Sequence, residues 1–190
     1  RPLCPLPLGS LFYLIVSHFH SDHYGETQDM YQNLNIENLI TKENVDNFDS
    51  SLISCGSLSF YIYDLSYKAE NENNNSMVVS VFIEGKHYLF MGDSEFERET
   101  EFLDLYNIDV DYLKVGHHGS ITSSSQTFLK AINPEQAFIM VHRDNRHRHP
   151  DTVVIERLLA NDIVIYRTDT MGSIEVTYVF GNETKKYYRP

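Results

Sequence analysis

Four times in this chain a short apolar run stops and titratable side chains follow at once: after Val16, Met91, Val115 and Val141. Short runs rich in β-branched and aromatic residues read as buried strands rather than helices. Polar groups gathered where strands end are typical of layered α/β proteins, whose ligands bind at the sheet's edge. On this reading strands fall at 11–17, 59–65, 77–83, 87–91, 111–115, 136–141, 163–166 and 173–180. Glu84-Gly85-Lys86 is a hairpin turn between two of them. Helices are expected at 27–33, 124–132 and 150–160, with Pro150 in the first turn of the last. Another helix is expected after Ser94, capped by that serine with Glu97 three residues on.

A length of 190 residues, with 42% hydrophobic and 22% charged, suits one domain with one core. Residues 1–10 hold three prolines and a Gly-Ser pair. They are read as a leader or stray segment, which leaves 11–190 as the domain. The apolar run from Leu11 to Val16 is far short of the roughly 20 residues that cross a bilayer. There are 27 Asp+Glu against 15 Lys+Arg, a formal net charge of -12. That excludes coating of nucleic acid or anionic membrane by the whole surface, but not a local basic site. Cys4 and Cys55 cannot build a disulfide framework and leave localisation open.

The nine histidines are grouped: His18, His20 and His23; His117 and His118; His142, His147 and His149. Only His87 stands alone, inside a predicted strand, where a structural role is expected. The first group reads Ser17-His18-Phe19-His20-Ser21-Asp22-His23. His18 and His20, two apart on extended chain, face the same way, and Asp22 and His23 follow. Two such clusters side by side suit a two-metal site. Imidazole with carboxylate favours Zn, Mn or Fe over Ca or Mg.

This HxHxDH motif resembles that of the metallo-β-lactamase superfamily. Three further blocks, Asn75 to Asp93, Asp111 to Ser125 and Asn145 to Pro150, resemble the hydrolase domain of the ComEC family of DNA-uptake channels. The resemblance covers about Leu11 to Thr177. It implies an α/β fold of the αββα sandwich type with a dinuclear metal site on one edge. It implies that His18 and His20 bind one metal, that Asp22 and His23 bind the other, and that Asp93 bridges them. One histidine of Gly116-His117-His118-Gly119-Ser120 is expected to complete the coordination of the second metal, with His118 preferred. His117 is then free to move a proton or orient substrate. Ser120 is a candidate to hydrogen-bond a phosphate or a histidine.

The stretch His142 to His149 is the most basic of an acidic chain. Arg143, Arg146 and Arg148 are expected to clamp an anionic substrate, DNA or a small phosphodiester. His149 matches the family's His-Pro and is a candidate ligand or general acid. Two departures matter. Members of the family carry about three more strands before HxHxDH, and this sequence meets the motif at residue 18. The sandwich is therefore expected to be truncated at its N-terminal side, with a sheet edge and apolar surface uncovered. No histidine lies between His23 and His87, so the superfamily's middle ligand is replaced near Asn75 or Ser76. That implies a weaker first site, holding Mn rather than tightly bound Zn.

The implied reaction is hydrolysis of a phosphodiester by a metal-activated hydroxide, with Asp22, Asp93, His117 and His149 as the catalytic side chains. A hydrolase of another ester, thioester or lactone would share the site chemistry. A non-catalytic metal-binding remnant would bind the ions without turnover. A ComEC-type domain would lie outside the membrane beside its channel; a free-standing relative would be cytoplasmic. The sequence leaves the oligomeric state open.

Overall fold

A computed structural model describes residues 10–47, 52–55, 58–63, 65 and 68–188. Residues 1–9, most of the segment read as a leader, lie outside the described residues. Strand β1 (Ser10–Ile15) runs through helices α1 (Ser21–Tyr24) and α2 (Thr27–Asn33) into β2 (Asn35–Ile40), which pairs with it in parallel. A meander follows: β3 (Leu52–Cys55), β4 (Leu58–Ile62), β5 (Val79–Ile83) and β6 (Lys86–Phe90), all antiparallel. The β5–β6 turn carries positive φ at both Glu84 and Gly85, as a two-residue hairpin loop requires.

The order then becomes strand, helix, strand. Helices α3 (Phe96–Leu105), α4 (Gln126–Ile132) and α5 (Thr152–Leu159) alternate with β7 (Tyr112–Lys114), β8 (Gln136–Ile139) and β9 (Val164–Arg167). Parallel neighbours need a crossover, and each of these helices supplies one. Strands β3 to β9 form one seven-stranded sheet in sequence order. After α6 (Thr168–Met171), β10 (Ser173–Val179) and β11 (Asn182–Tyr188) close as a separate hairpin.

Alternation along the strands decides what covers each face. Leu89, Leu113, Ala137 and Ile139 point to one side and meet Phe102, Phe128, Leu129, Ile132, Val154 and Leu158 of the three crossover helices. Full burial of each large apolar side chain contributes about 1.5–3 kcal/mol, so this layer is the main core. On the other side, Tyr13, Ile15 and Ile40 of the β1–β2 pair pack on Phe60, Ile62, Met77 and Val79. Beyond them Tyr88, Tyr112, Phe138 and Tyr166 form a stacked ladder across β6 to β9, with successive ring centroids 4.3, 5.9 and 5.2 Å apart. The β10–β11 hairpin covers that ladder: the Tyr88 and Tyr178 hydroxyls pair, and the hydroxyls of Tyr112 and Tyr178 both donate to Glu183. Helices, large sheet and a second, two-part strand layer therefore stack in that order.

Between the two parts of the second layer, Phe90 and Met140 remain 41% and 53% exposed. Two apolar clefts, of 330 and 380 Å³, share Phe90, Lys114 and Met140 as their common floor.

Several boundaries differ from the sequence expectation. Ser94 does not cap α3: its hydroxyl is spent on the Met91 carbonyl, Glu95 is the N-cap residue, and Glu97 takes a hydrogen bond from Asn74. Pro150 precedes the α5 cap rather than opening the helix; the Asp151 carboxylate caps through the Val153 amide. Helix α4 starts at Gln126, capped by Ser125 onto the Phe128 amide. Strands β2, β3 and β11 were not anticipated. The expected strand at 59–65 ends at Ile62, and Asp64 lies outside the described residues.

Candidate metal centre

The centre forms where β1, β6 and β7 end. Past Ile15 the chain stays extended: the Val16 amide donates to Ile40, and the Ser17 carbonyl accepts from the Met77 amide. His18 is thereby fully buried, while His20, Asp22 and His23 lie on the bend and single helical turn that follow. Glu72 braces this bend by accepting from the Phe19 amide, Asn75 and Lys42. Burial opposes its ionisation, but those donors outweigh it and hold its carboxyl at about 2. A folded-state pKa below the ordinary 4.5 gives stability that is present above pH 4.5 and lost as pH falls toward 2. Thermal melts from pH 6 to pH 2 should show a declining acid limb that is flatter in Glu72→Gln. An unchanged limb in that variant would mean Glu72 does not carry it.

Gly92 makes the next approach possible. Its φ is +57°, and a Cβ there would lie 2.8 Å from the Ser76 hydroxyl and 2.9 Å from the Ser17 Cβ. Asp93 follows, its amide donating to Ser76 Oγ at 2.9 Å. Of the two residues near the missing histidine's place, Ser76 faces the centre, with its hydroxyl also 3.3 Å from His18 Nδ1. The Asn75 side chain instead holds the Ala69 backbone and Glu72.

Asp93 lies among the histidines. Its Oδ1 is 3.1 Å from His23 Nε2; its Oδ2 is 3.6 Å from His118 Nε2 and 3.9 Å from His18 Nε2. Asp22 Oδ2 is 3.4 Å from His118 Nε2 and 3.8 Å from His23 Nε2. Ligand atoms of Asp22, His23, Asp93 and His118 all fall within 4.8 Å of one another. His18 and His20 adjoin this set as a pair, Nε2 to Nδ1 at 3.1 Å. Burial opposes ionisation of Asp93, yet His23, Lys114 and His118 hold its carboxyl well below the usual range. Burial, then the neighbouring His23, lowers His18 to about 4, so it is a neutral imidazole with a lone pair to offer.

His117 and His118 both take left-handed backbone, φ +44° and +52°, and their rings diverge. His118 Nδ1 lies 2.7 Å from the Met140 carbonyl. A carbonyl can only accept, so Nδ1 carries the proton and Nε2 is left as a ligand atom. His117 Nδ1 lies 3.1 Å from Glu95 Oε1. Glu95 is fixed by Asn71, Asn73 and Thr122. Ser120, expected to touch substrate, is buried and paired with Thr122 Oγ1 at 3.0 Å, so it supports the Glu95 cluster from behind.

Beside the centre a cleft of 670 Å³ is lined by Asp22, His118, Arg143, His147, His149 and Tyr188, among others. Burial and the adjacent imidazole of His117 push the His149 pKa down. Of the three arginines expected to form one clamp, only Arg143 lines this cleft, held by the Asp169 carbonyl at 3.1 Å. Arg146 turns to His147, and Arg148 is exposed on a left-handed backbone. Only Arg143 of the three therefore faces the cleft, and the other two cations lie on the exposed loop, because the segment is an open turn rather than a packed strand end.

The chemistry of the donors fits divalent ions. His23 Nε2, Asp93 Oδ1 and His118 Nε2 are buried and make no aligned hydrogen bond, and the three atoms converge. Three such orphans at one point would be costly for a purely structural cluster. The sequence profile of the metallo-β-lactamase superfamily matches residues 67–141, the stretch that supplies Asp93, His117 and His118. Over this stretch the chain is similar to the metallo-β-lactamase superfamily. It is 29% identical over 93% of its length to ComE operon protein 3 of Bacillus subtilis, of which it covers 26%. Competence protein ComA of Neisseria gonorrhoeae is 36% identical over 55% of the chain and 16% of that protein. Recombination protein 2 of Haemophilus influenzae is 28% identical over 87% of the chain and 22% of that protein. The chain thus spans about a quarter or less of the length of these relatives. Its fold is similar to that of the metallo-β-lactamase fold protein YhfI from Bacillus subtilis, with TM-score 0.51 at 12% identity over 82% of this chain and 75% of that one. No helix among the described residues is long and apolar enough to cross a membrane.

Three contributors had no sequence signal of their own: Glu72, Glu95 and Lys114. Each acts through a partner distant in sequence, Phe19, His117 and Gly92 respectively.

Proposed function

We propose that this domain is a metal-dependent hydrolase of phosphodiesters, with DNA or a small phosphodiester as substrate. The observation that carries this is the convergence of the ligand atoms of Asp22, His23, Asp93 and His118 beside a cleft that presents an arginine. His18, His20 and Asp93 are the candidate ligands of one ion; Asp22, His23, Asp93 and His118 are those of the other. Bound there, divalent ions acidify water and offset the negative charge that grows on a phosphoryl oxygen. The chain's own residues do the rest. Asp93 stays ionised at neutral pH and positions what lies between the histidine groups. Arg143, on the cleft wall, takes phosphate oxygens, and Arg146 and Arg148 extend that charge along the rim. His117 Nδ1 lies 3.1 Å from Glu95 Oε1; with both ring nitrogens protonated, Nε2 can pass its proton to the leaving oxygen while Nδ1–H stays paired with the carboxylate. His149 on the cleft wall is the other candidate for that transfer. The named competence relatives favour a nucleic acid over other diesters.

The test is a substrate panel: bis-p-nitrophenyl phosphate and single-stranded DNA beside a lactone and a thioester, with Mn²⁺ or Zn²⁺ and after chelation. Cleavage of the two phosphodiesters that stops on chelation is expected. Arg143→Ala should raise KM for DNA several-fold with little change in kcat, since it binds rather than reacts. Lactone or thioester turnover without diester cleavage would assign a different bond. Bound metal without turnover on any substrate would leave a metal-binding remnant.

A further inference from the structure

Lys114, at the end of β7, is the one Lys, Arg, Asp or Glu among the described residues that line either apolar cleft on the inner sheet face. Its side chain is 11% exposed, and its Nζ donates to the Gly92 carbonyl at 2.9 Å and lies 3.8 Å from Asp93 Oδ1. It approaches Asp93 on the oxygen that faces His23. Nothing in the lysine's sequence neighbourhood demands this. β7 alternates, Tyr112 stacks on the same face, and a Lys at the next inward position would ordinarily be replaced by an apolar residue. Burial disfavours the charged amine and the Asp93 carboxylate opposes that effect; the Gly92 carbonyl and Asp93 hold the head in place, at the wall that Lys114 shares with Phe90 and Met140.

We propose that Lys114 is a positioning residue that acts as a tethered third cation of the metal centre. It orients the Asp93 carboxylate between the histidine groups and holds down the centre's affinity for divalent ions, so that they exchange. The proposal rests on the metal reading above. Its physical basis is Coulombic: a fixed unit charge a few ångström from a dication repels it, and even strong screening leaves more than a tenfold effect on affinity at such separations.

The role in charge separates from the role in hydrogen bonding. Lys114→Gln keeps an N–H donor for the Gly92 carbonyl but removes the charge, Lys114→Met removes both at similar length, and Lys114→Arg keeps the charge. Titration calorimetry with Mn²⁺ and with Zn²⁺ on each folded protein reads affinity without any turnover. Gln and Met should both bind at least tenfold more tightly than wild type, and Arg should remain near wild type. Equal affinity in wild type and Gln, or weaker binding in Gln, overturns the proposal while leaving the metal reading intact. Absence of metal binding in wild type overturns both. If Met fails to fold, Gln against wild type decides alone.

Discussion

Purified Asp93→Ala is expected to lose metal-dependent phosphodiester cleavage by on the order of a thousandfold while keeping its fold. The residue's buried carboxylate reaches both histidine sets, with His23 on one oxygen and His18 and His118 on the other. Its structural anchor is not the side chain but the backbone amide, which donates to Ser76 Oγ and survives the substitution. Circular dichroism and melting temperature should therefore stay close to wild type as the rate collapses. The measurement pairs initial rates on bis-p-nitrophenyl phosphate with metal content of the purified variant. Cleavage at an undiminished rate would remove this centre from the reaction. Asp22→Ala should do less harm, since its side chain is 60% exposed and water can take its place.

Glu99→Leu is expected to lower stability by about 3 kcal/mol, which is about 6–12 °C in Tm for a chain of this size. Glu99 is 2% exposed and accepts from the backbone amides of both Ser124 and Ser125. Those amides belong to the loop that leads away from His117 and His118 and starts α4, and Ser124 takes a positive φ to present its N–H. Leucine would fill the volume and leave two buried donors unpaired, each costing about 1–3 kcal/mol. Scanning calorimetry on wild type, Leu and Gln variants measures it. Gln retains one acceptor oxygen and should fall between the other two. A Leu variant that melts with wild type would show that water reaches these amides.

What the sequence made legible follows from how local each signal is. The motif from His18 to His23 concentrates ligand atoms within six positions, so no long-range contact is needed to suspect it. The β5–β6 hairpin was readable because its turn chemistry and apolar strands adjoin, and α2 fell at the expected residues. Strand β2 was missed because its alternation mixes Asn and Glu with Ile and Leu. Strand β11, Asn-Glu-Thr-Lys-Lys-Tyr-Tyr, has too little apolar character to be read without its partner β10. Ser94 looked like a cap because the pattern Ser-x-x-Glu is a local rule, and a buried carbonyl at Met91 outbid it. Glu95 was invisible for the opposite reason. Its partners Asn73 and His117 each lie 22 residues away, in opposite directions along the chain. The arginine cluster misled through spacing alone: an exposed loop can be rich in charge without aiming it at one point.

The two left-handed residues at His117 and His118 constrain how this segment can vary. A non-glycine residue in that conformation costs about 1–2 kcal/mol, and here two in succession turn adjacent rings toward different partners, Glu95 and the Met140 carbonyl. Adjacent residues thereby serve opposite sides of the centre. Inserting or deleting one residue between Val115 and Ser120 would move one ring into the other's place and displace the second, so that the wrong imidazole, or none, stands before Asp93. The length of this loop is therefore as strictly specified as its composition, and homologous domains that differ here by a single residue would have to rebuild the centre rather than merely retune it.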